Sequence, residues 1–189
     1  MGELRDELLA GVAGRVVEVG AGNGLNFAHY PPQTTEVIAV EPEPYLRNLA
    51  EMAATTASVP VHVTAGVADR LPVPTGSVDV GVASLVLCSV DSQHGALAEL
   101  YRVIRPGGHL RFLEHVAAET LVLRGVQQVA DATVWPLLAG GVPHREEHAR
   151  GDPRVGFEIT TLRRLRFPEH RVPVPAAPHA LGIATRPGS

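Results

Sequence analysis

Three groups of residues in this chain have the types and spacing to hold a ligand. The run Glu18-Val19-Gly20-Ala21-Gly22-Asn23-Gly24 sets three glycines at alternate positions behind an acidic residue. Glycines there turn the chain tightly and let a ligand approach the backbone. A helix starting directly after them would aim unpaired N–H groups at that ligand. The second group is Glu41, 17 residues beyond Gly24, with Pro42 beside it. A carboxylate at that place can accept hydrogen bonds from both hydroxyls of a ribose. The turn Gly66-Val67-Ala68-Asp69 offers backbone amides to an adenine edge. The combination suits an adenosine-containing cofactor.

The glycine spacing separates two kinds of such cofactor. Dinucleotide enzymes favour Gly-x-Gly-x-x-Gly, which makes room for a pyrophosphate. Here the glycines are Gly20, Gly22 and Gly24, and Glu18 would oppose an anionic pyrophosphate while suiting the cationic end of S-adenosylmethionine. Among other reactive side chains, His115 follows an apolar run and is the catalytic candidate. Its unperturbed pKa lies near neutrality, so it could take a proton from a thiol or hydroxyl; a hydrogen-bonded structural histidine is the alternative. Glu114 beside it alternates to the other face of the strand. Cys88 reads as a buried small hydrophobe, since a nucleophilic role would need an activating neighbour. Trp135 could line a substrate pocket or anchor the core. His144 and His148 have metal-compatible spacing but sit among charged residues, so a solvated segment is expected and no metal site.

The elements that must position these residues alternate along the chain. Glu3–Leu9 has helical spacing. β-Branched runs at Arg15–Val19, Val37–Val40, Val59–Val63, Val78–Val86 and His109–Val116 read as strands. Pro44–Thr55 and Gly95–Ile104 read as helices, the second clearly amphipathic, with Arg105-Pro106-Gly107-Gly108 as its stop. Phe157–Arg166 and Leu181–Thr185 read as closing strands. Gly140–Arg154 is polar and reads as a loop. This order predicts an α/β, Rossmann-like, doubly wound sheet of seven mostly parallel strands, with helices on both faces. A single domain is expected over residues 1–189.

Composition narrows the function. At 45% hydrophobic and 19% charged, the chain is globular. A net charge of −4 gives no basic footprint for nucleic acid. All 16 basic residues are arginine, which reflects coding bias. One cysteine excludes an internal disulfide. No run is apolar and long enough for a membrane span, and the front of the chain lacks a signal-peptide core. A cytoplasmic location is expected.

These residues also carry a resemblance. Glu18–Gly24 resembles motif I of class I S-adenosylmethionine-dependent methyltransferases, in the ubiquinone/menaquinone-biosynthesis-like superfamily. Asp79 within Gly76–Val80 resembles the acidic residue that opens their fourth strand. Leu100–Gly108 is similar to their signature before the fifth. Asn26-Phe27, Tyr30-Pro31-Pro32, Leu85–Val90 and Phe112–Ala117 resemble, more narrowly, the methyltransferase-like thiol S-methyltransferases. The resemblance implies S-adenosylmethionine as cofactor and a small-molecule acceptor, a thiol or hydroxyl. It implies that Gly20, Ala21 and Gly22 contact the methionine part through backbone, with Glu18 near its amino group and Asn26 near the carboxylate or the loop. Glu41 would hold the ribose, with Pro42 and Tyr45 beside the adenine, Val67 and Ala68 at its edge and Leu85 over its other side. The animal members carry a longer, membrane-anchoring front segment. Here 14 residues precede the first strand, so a pocket open at that side, closed by a partner or a second copy of the chain, is the expectation. A nicotinamide-dependent oxidoreductase and a non-catalytic binding protein on the same fold are the alternative readings.

Overall fold

The computed structural model describes residues 1–115, 156–166 and 178–188. Trp135, His144, His148 and the Gly140–Arg154 loop lie outside the described residues. The strands are β1 (Gly14–Val19), β2 (Thr34–Val40), β3 (Val61–Thr64), β4 (Val78–Ser84), β5 (Ile104–His115), β6 (Glu158–Arg166) and β7 (Pro178–Thr185). The described helices are α1 (Gly2–Leu9), α2 (Pro44–Ala54) and α3 (Gln93–Val103). They form one seven-stranded sheet in the order β3-β2-β1-β4-β5-β7-β6. The first five strands run parallel, and β7 is antiparallel to both its neighbours. The order reverses between β1 and β4, the switch point at which open α/β sheets bind ligands.

Both faces of the sheet are covered, which is why its strands read as continuous apolar runs. On one face Val16, Val37, Ala39, Val80 and Val82 pack with Leu8 and Leu9 of α1 and Ala50 of α2. On the other, Val17, Val19, Val40, Leu110 and Phe112 pack with Leu97, Leu100 and Val103 of α3. Each fully buried leucine of α3 contributes roughly 2 kcal/mol of transfer free energy. Ser92 caps α3 by accepting the Gly95 N–H at 3.0 Å. Glu43 caps α2 by accepting the Leu46 N–H at 2.7 Å, with Pro44 at the first helical position.

Two expectations change. The glycine run is not followed by an α-helix; residues Phe27–His29 form a single 3-10 turn, and β2 begins at Thr34. Nine residues between Gly24 and Thr34, ending in Pro31-Pro32-Gln33, leave no length for a helix. The helix α3 stops before Arg105–Gly108 as expected, at Val103, but β5 begins at Ile104 and not at His109, so the segment lies inside the strand. It is an irregular stretch within β5, whose partners on β4 jump from Ile104 at Val78 to His109 at Val80. The Leu100–Gly108 signature has a mechanical role here. Arg102 pairs with Glu99 and donates to the carbonyls of Leu71 and Val73, while Glu99 accepts the Leu71 N–H at 2.7 Å. This clamp fixes the loop leading into β4. Asp79 accepts the Arg15 N–H and the Arg105 side chain, both at 2.7 Å, and so ties the starts of β1, β4 and β5 together.

Candidate cofactor and acceptor site

The carboxyl ends of β1, β2 and β4 open onto a cavity of about 560 Å³, within the range of small-molecule sites. Gly20 and Gly22 form one wall. Glu41, Pro42 and Leu46 form the second, and Gly66, Val67, Ala68 and Asp69 the third. The fourth is the loop from Leu85 to Ser92. Seven residues singled out from sequence therefore meet in one place: Gly20, Gly22, Glu41, Pro42, Val67, Ala68 and Leu85. Leu46 takes the position expected of Tyr45, whose side chain is exposed. Asp69 of the Gly66–Asp69 turn and Ser89 and Val90 of the Leu85–Val90 block also line the cavity, as do Asp91 and Ser92, which no motif marks.

The glycine turn spends most of its donors within the protein. Gly20 N–H and Ala21 N–H both donate to the Val40 carbonyl, at 2.9 and 3.2 Å. Gly24 N–H donates to the Ala21 carbonyl at 3.0 Å. Gly22 N–H donates to Glu41 Oε2 at 2.8 Å. Four of the five N–H groups of Gly20–Gly24 are thus spent within the protein, whereas a phosphate cradle depends on free ones. With no α-helix behind it, the turn also lacks the positive end of a helix dipole. Glu18, expected beside the cationic end of the ligand, is not among the residues that line the cavity.

Glu18 lies elsewhere. Its side chain points from β1 toward the face that carries α1 and is 1% exposed. It accepts Asn26 Nδ2 at 2.8 Å and the Tyr30 hydroxyl at 2.7 Å. Strand alternation decides this: Val19 faces the cavity and Glu18 the opposite side. Asn26 is buried with it, and Ala21 sits behind the cavity wall. Burial pushes the Glu18 carboxyl up to about 7, against the two hydrogen bonds that favour its charge. The folded state holds this proton more tightly than the unfolded chain. Folding is therefore penalised as pH rises from 4.5 toward about 7, and the penalty is complete above that window. Glu18→Gln carries no such charge. It is expected to raise stability over the natural chain by about 3 kcal/mol near pH ~8, and by little near pH ~4. Urea unfolding across that range measures it; a difference that does not grow with pH would sink the assignment.

Glu41 is 5% exposed, and each of its oxygens receives one backbone N–H, from Gly22 at 2.8 Å and Glu43 at 3.0 Å. A carboxylate oxygen has two lone-pair sites, so one remains on each oxygen for a pair of hydroxyls. Leu85 has φ +58°, the left-handed region, and no other non-glycine residue among those described has a positive φ. Its N–H donates to the Leu113 carbonyl at 2.7 Å. Beyond it Val86 and Leu87 donate to Glu114 Oε1, each at 3.0 Å. Burial pushes the Glu114 carboxyl up, and those N–H groups oppose the shift. Cys88 is exposed in the same turn and engaged with Glu114, which corrects its reading as a buried hydrophobe. His115 is the last residue of β5, opposite His179 of β7; its side chain lies outside the described residues.

A sheet in this strand order, with β7 antiparallel and a glycine turn and acidic residue at its carboxyl edge, is the Rossmann-like methyltransferase fold. A candidate methyltransferase from Bacillus halodurans superposes over 98% of both chains, with a TM-score of 0.73 and 14% identity. Geranyl diphosphate methyltransferase in complex with S-adenosylmethionine superposes at 0.69 over 98% of this chain and 84% of its own, with 14% identity. Residues 17–112 match the methyltransferase domain family, and the chain belongs to it. It is 37% identical over 183 residues to human thiol S-methyltransferase TMT1A, spanning 94% of this chain and 73% of that one. The chain is an S-adenosylmethionine-dependent methyltransferase, which sets aside the nicotinamide and non-catalytic readings. No helix among the described residues is long and apolar enough to cross a membrane.

Proposed function

We propose that the chain methylates small-molecule thiols, with hydroxyl compounds as the poorer acceptors. The observation that carries this reading is the 37% identity to a human thiol S-methyltransferase along 94% of the chain. The site's chemistry supports it. The described side chains lining the cavity are aliphatic, or are carboxylates and serines, namely Glu41, Asp69, Asp91, Ser89 and Ser92. None of these is a strong base. A thiol needs little help, because a fraction is thiolate near neutral pH and thiolate is a potent nucleophile. An oxygen acceptor needs a proton removed, and the base we assign for that is His115.

S-adenosylmethionine, when bound, supplies a methyl group on a sulfonium, which is a good leaving group. The residues present fit it. Gly20 brings backbone against the ligand where no side chain has room, the turn has spent most of the N–H groups that a pyrophosphate would need, and Glu41 keeps two acceptor sites for hydroxyls. We assign Gly20, Ala21 and Gly22 to the methionine part, and Glu41 to the ribose. We assign Pro42, Leu46, Val67, Ala68 and Leu85 to the adenine. Glu18 and Asn26 brace the turn from behind. The protein then works by alignment: walls that hold donor and acceptor in line convert an encounter into a near-unimolecular step. Purified protein supplied with methyl-labelled S-adenosylmethionine and matched pairs of thiols and phenols tests the reading. Labelled thioether is expected, with phenol ether formed more slowly. Methylation of phenols with thiols inert would overturn it.

A further inference from the structure

We infer that Glu114 is a positioning residue for methyl transfer, acting through the turn that walls the cofactor cavity. The inference rests on the reading of that cavity as the cofactor site. Glu114 does not line the cavity; its carboxyl lies behind the wall and is 2% exposed. A buried carboxylate is costly unless hydrogen-bonded, and this one finds its donors in a single short stretch of backbone. Oε1 accepts both Val86 N–H and Leu87 N–H, each at 3.0 Å. The N–H and thiol of Cys88 lie against the same carboxyl and favour its charge.

Three successive N–H groups converging on one carboxylate form a concave nest. The sharp bend before it is Leu85, whose left-handed backbone costs a non-glycine residue about 1 kcal/mol or more. Such a conformation persists only where its surroundings hold it, and here the hold is strand pairing at Leu85 N–H followed by Glu114 at the next two residues. The bend has a consequence at the ligand. Val86 is aimed at Gly20 so closely that a Cβ on Gly20 would come within 2.3 Å of it. Leu85, Val86, Ser89 and Val90 then make the cavity's fourth wall. Release of the turn from Glu114 frees Leu85 to leave the left-handed region and draws Val86 off the glycine turn. The side chain at 114 thus sets the width of the slot between two walls it never touches on the ligand side.

The test compares three variants by steady-state kinetics and by titration with S-adenosylhomocysteine. Glu114→Ala removes the acceptor and is expected to raise the KM for S-adenosylmethionine about tenfold or more, with kcat changed much less. Glu114→Gln keeps a carbonyl oxygen where Oε1 stands and is expected to stay within about twofold of the natural chain. Glu114→Asp keeps the charge but shortens the reach, and is expected to resemble Ala. A merely structural role would lower the folded, active fraction, reducing kcat and leaving KM unmoved. If Glu114→Ala does not fold, the contrast between Gln and Asp is read in its place. Unchanged KM in the folded Ala or Asp variants overturns the inference, as does a Gln variant as impaired as Ala. Glu41→Ala runs alongside. If it leaves S-adenosylhomocysteine binding intact, the cavity reading itself has failed and the inference with it. If it abolishes binding while Glu114→Asp and Glu114→Ala do nothing, the inference alone has failed.

Discussion

Gly20→Val is expected to abolish detectable S-adenosylhomocysteine binding, a loss of about 100-fold or more, while the chain still folds. Two independent effects combine. Gly20 has φ +66°, a region that a β-branched residue enters only under strain. The added Cβ would also lie 2.3 Å from Val86 Cγ2 and 2.9 Å from Val86 Cβ. Neither partner has an easy retreat. Val86 is held through its N–H by Glu114. The Gly20 N–H is held by the Val40 carbonyl at 2.9 Å. The strain therefore opens the slot between the glycine turn and the Leu85–Ser92 wall, which we assign to the ligand. Gly22→Ala is the internal control. It shares a left-handed φ of +57°, but a Cβ there meets nothing within 4 Å. It carries backbone strain alone, about 1 to 2 kcal/mol, and is expected to weaken binding about tenfold or less. Calorimetric titration of both variants measures the difference. Equal losses at the two positions would mean that contact with Val86 is not what makes Gly20 a glycine.

Much of this arrangement was readable from residue order alone, and the reasons differ by element. The inner strands announce themselves because a sheet covered on both faces demands apolar side chains at nearly every position, as at Val16-Val17 and Val78–Ala83, whereas the edge strand β6 carries exposed Thr161, Arg163 and Arg164. Positions at strand ends followed from topology: once β1 and β4 are neighbours, Gly20, Glu41 and Leu85 must share one edge. Side-chain direction was harder. Glu18 was expected to face the ligand because it adjoins the glycines in sequence. A one-residue step on a strand is half a turn, and the step sends it to α1's side, under Asn26 and Tyr30. The short link from Gly24 to Thr34 was another miss. Its 3-10 turn follows from prolines and length, whereas a glycine run at the end of a first strand by itself points to a helix.

The Leu85–Ser92 wall was least legible, since nothing periodic marks it. Its shape comes from long-range partners: Leu113 for Leu85, and Glu114 for Val86 and Leu87, the last two 28 and 27 residues away in sequence. A left-handed leucine is not predictable from leucine's own preferences, which oppose it. Only the surrounding structure can impose it, and the residue that imposes it sits on a different strand. The neighbouring cysteine was misjudged for the same reason: with the turn anchored beneath it, Cys88 is carried outward.

Glu41→Ala is expected to lower kcat/KM by about 100-fold or more, nearly all of it in the KM for S-adenosylmethionine. The carboxylate serves both the protein and the ligand. Toward the protein it receives Gly22 N–H and Glu43 N–H, and so holds the glycine turn to the end of β2. Toward the ligand it is the carboxylate we assign to the ribose, and hydrogen bonds to a charged acceptor are worth about 1.5 to 3 kcal/mol each. Loss of one such bond accounts for about 10- to 150-fold, so the predicted effect is reached by both hydroxyls at the weak end of that range, by one at its strong end, or by one together with a loosened glycine turn. Glu41→Gln separates these. Its amide keeps one acceptor oxygen but turns the other into a donor facing a backbone N–H, from Gly22 or from Glu43. It should therefore fall between Ala and the natural chain. Because these interactions are the same in the ground and transition states, kcat at saturation should stay within about threefold. A large fall in kcat with KM preserved would place Glu41 at the reacting atoms instead of the ribose, and the orientation of the cofactor in the cavity would have to be reversed.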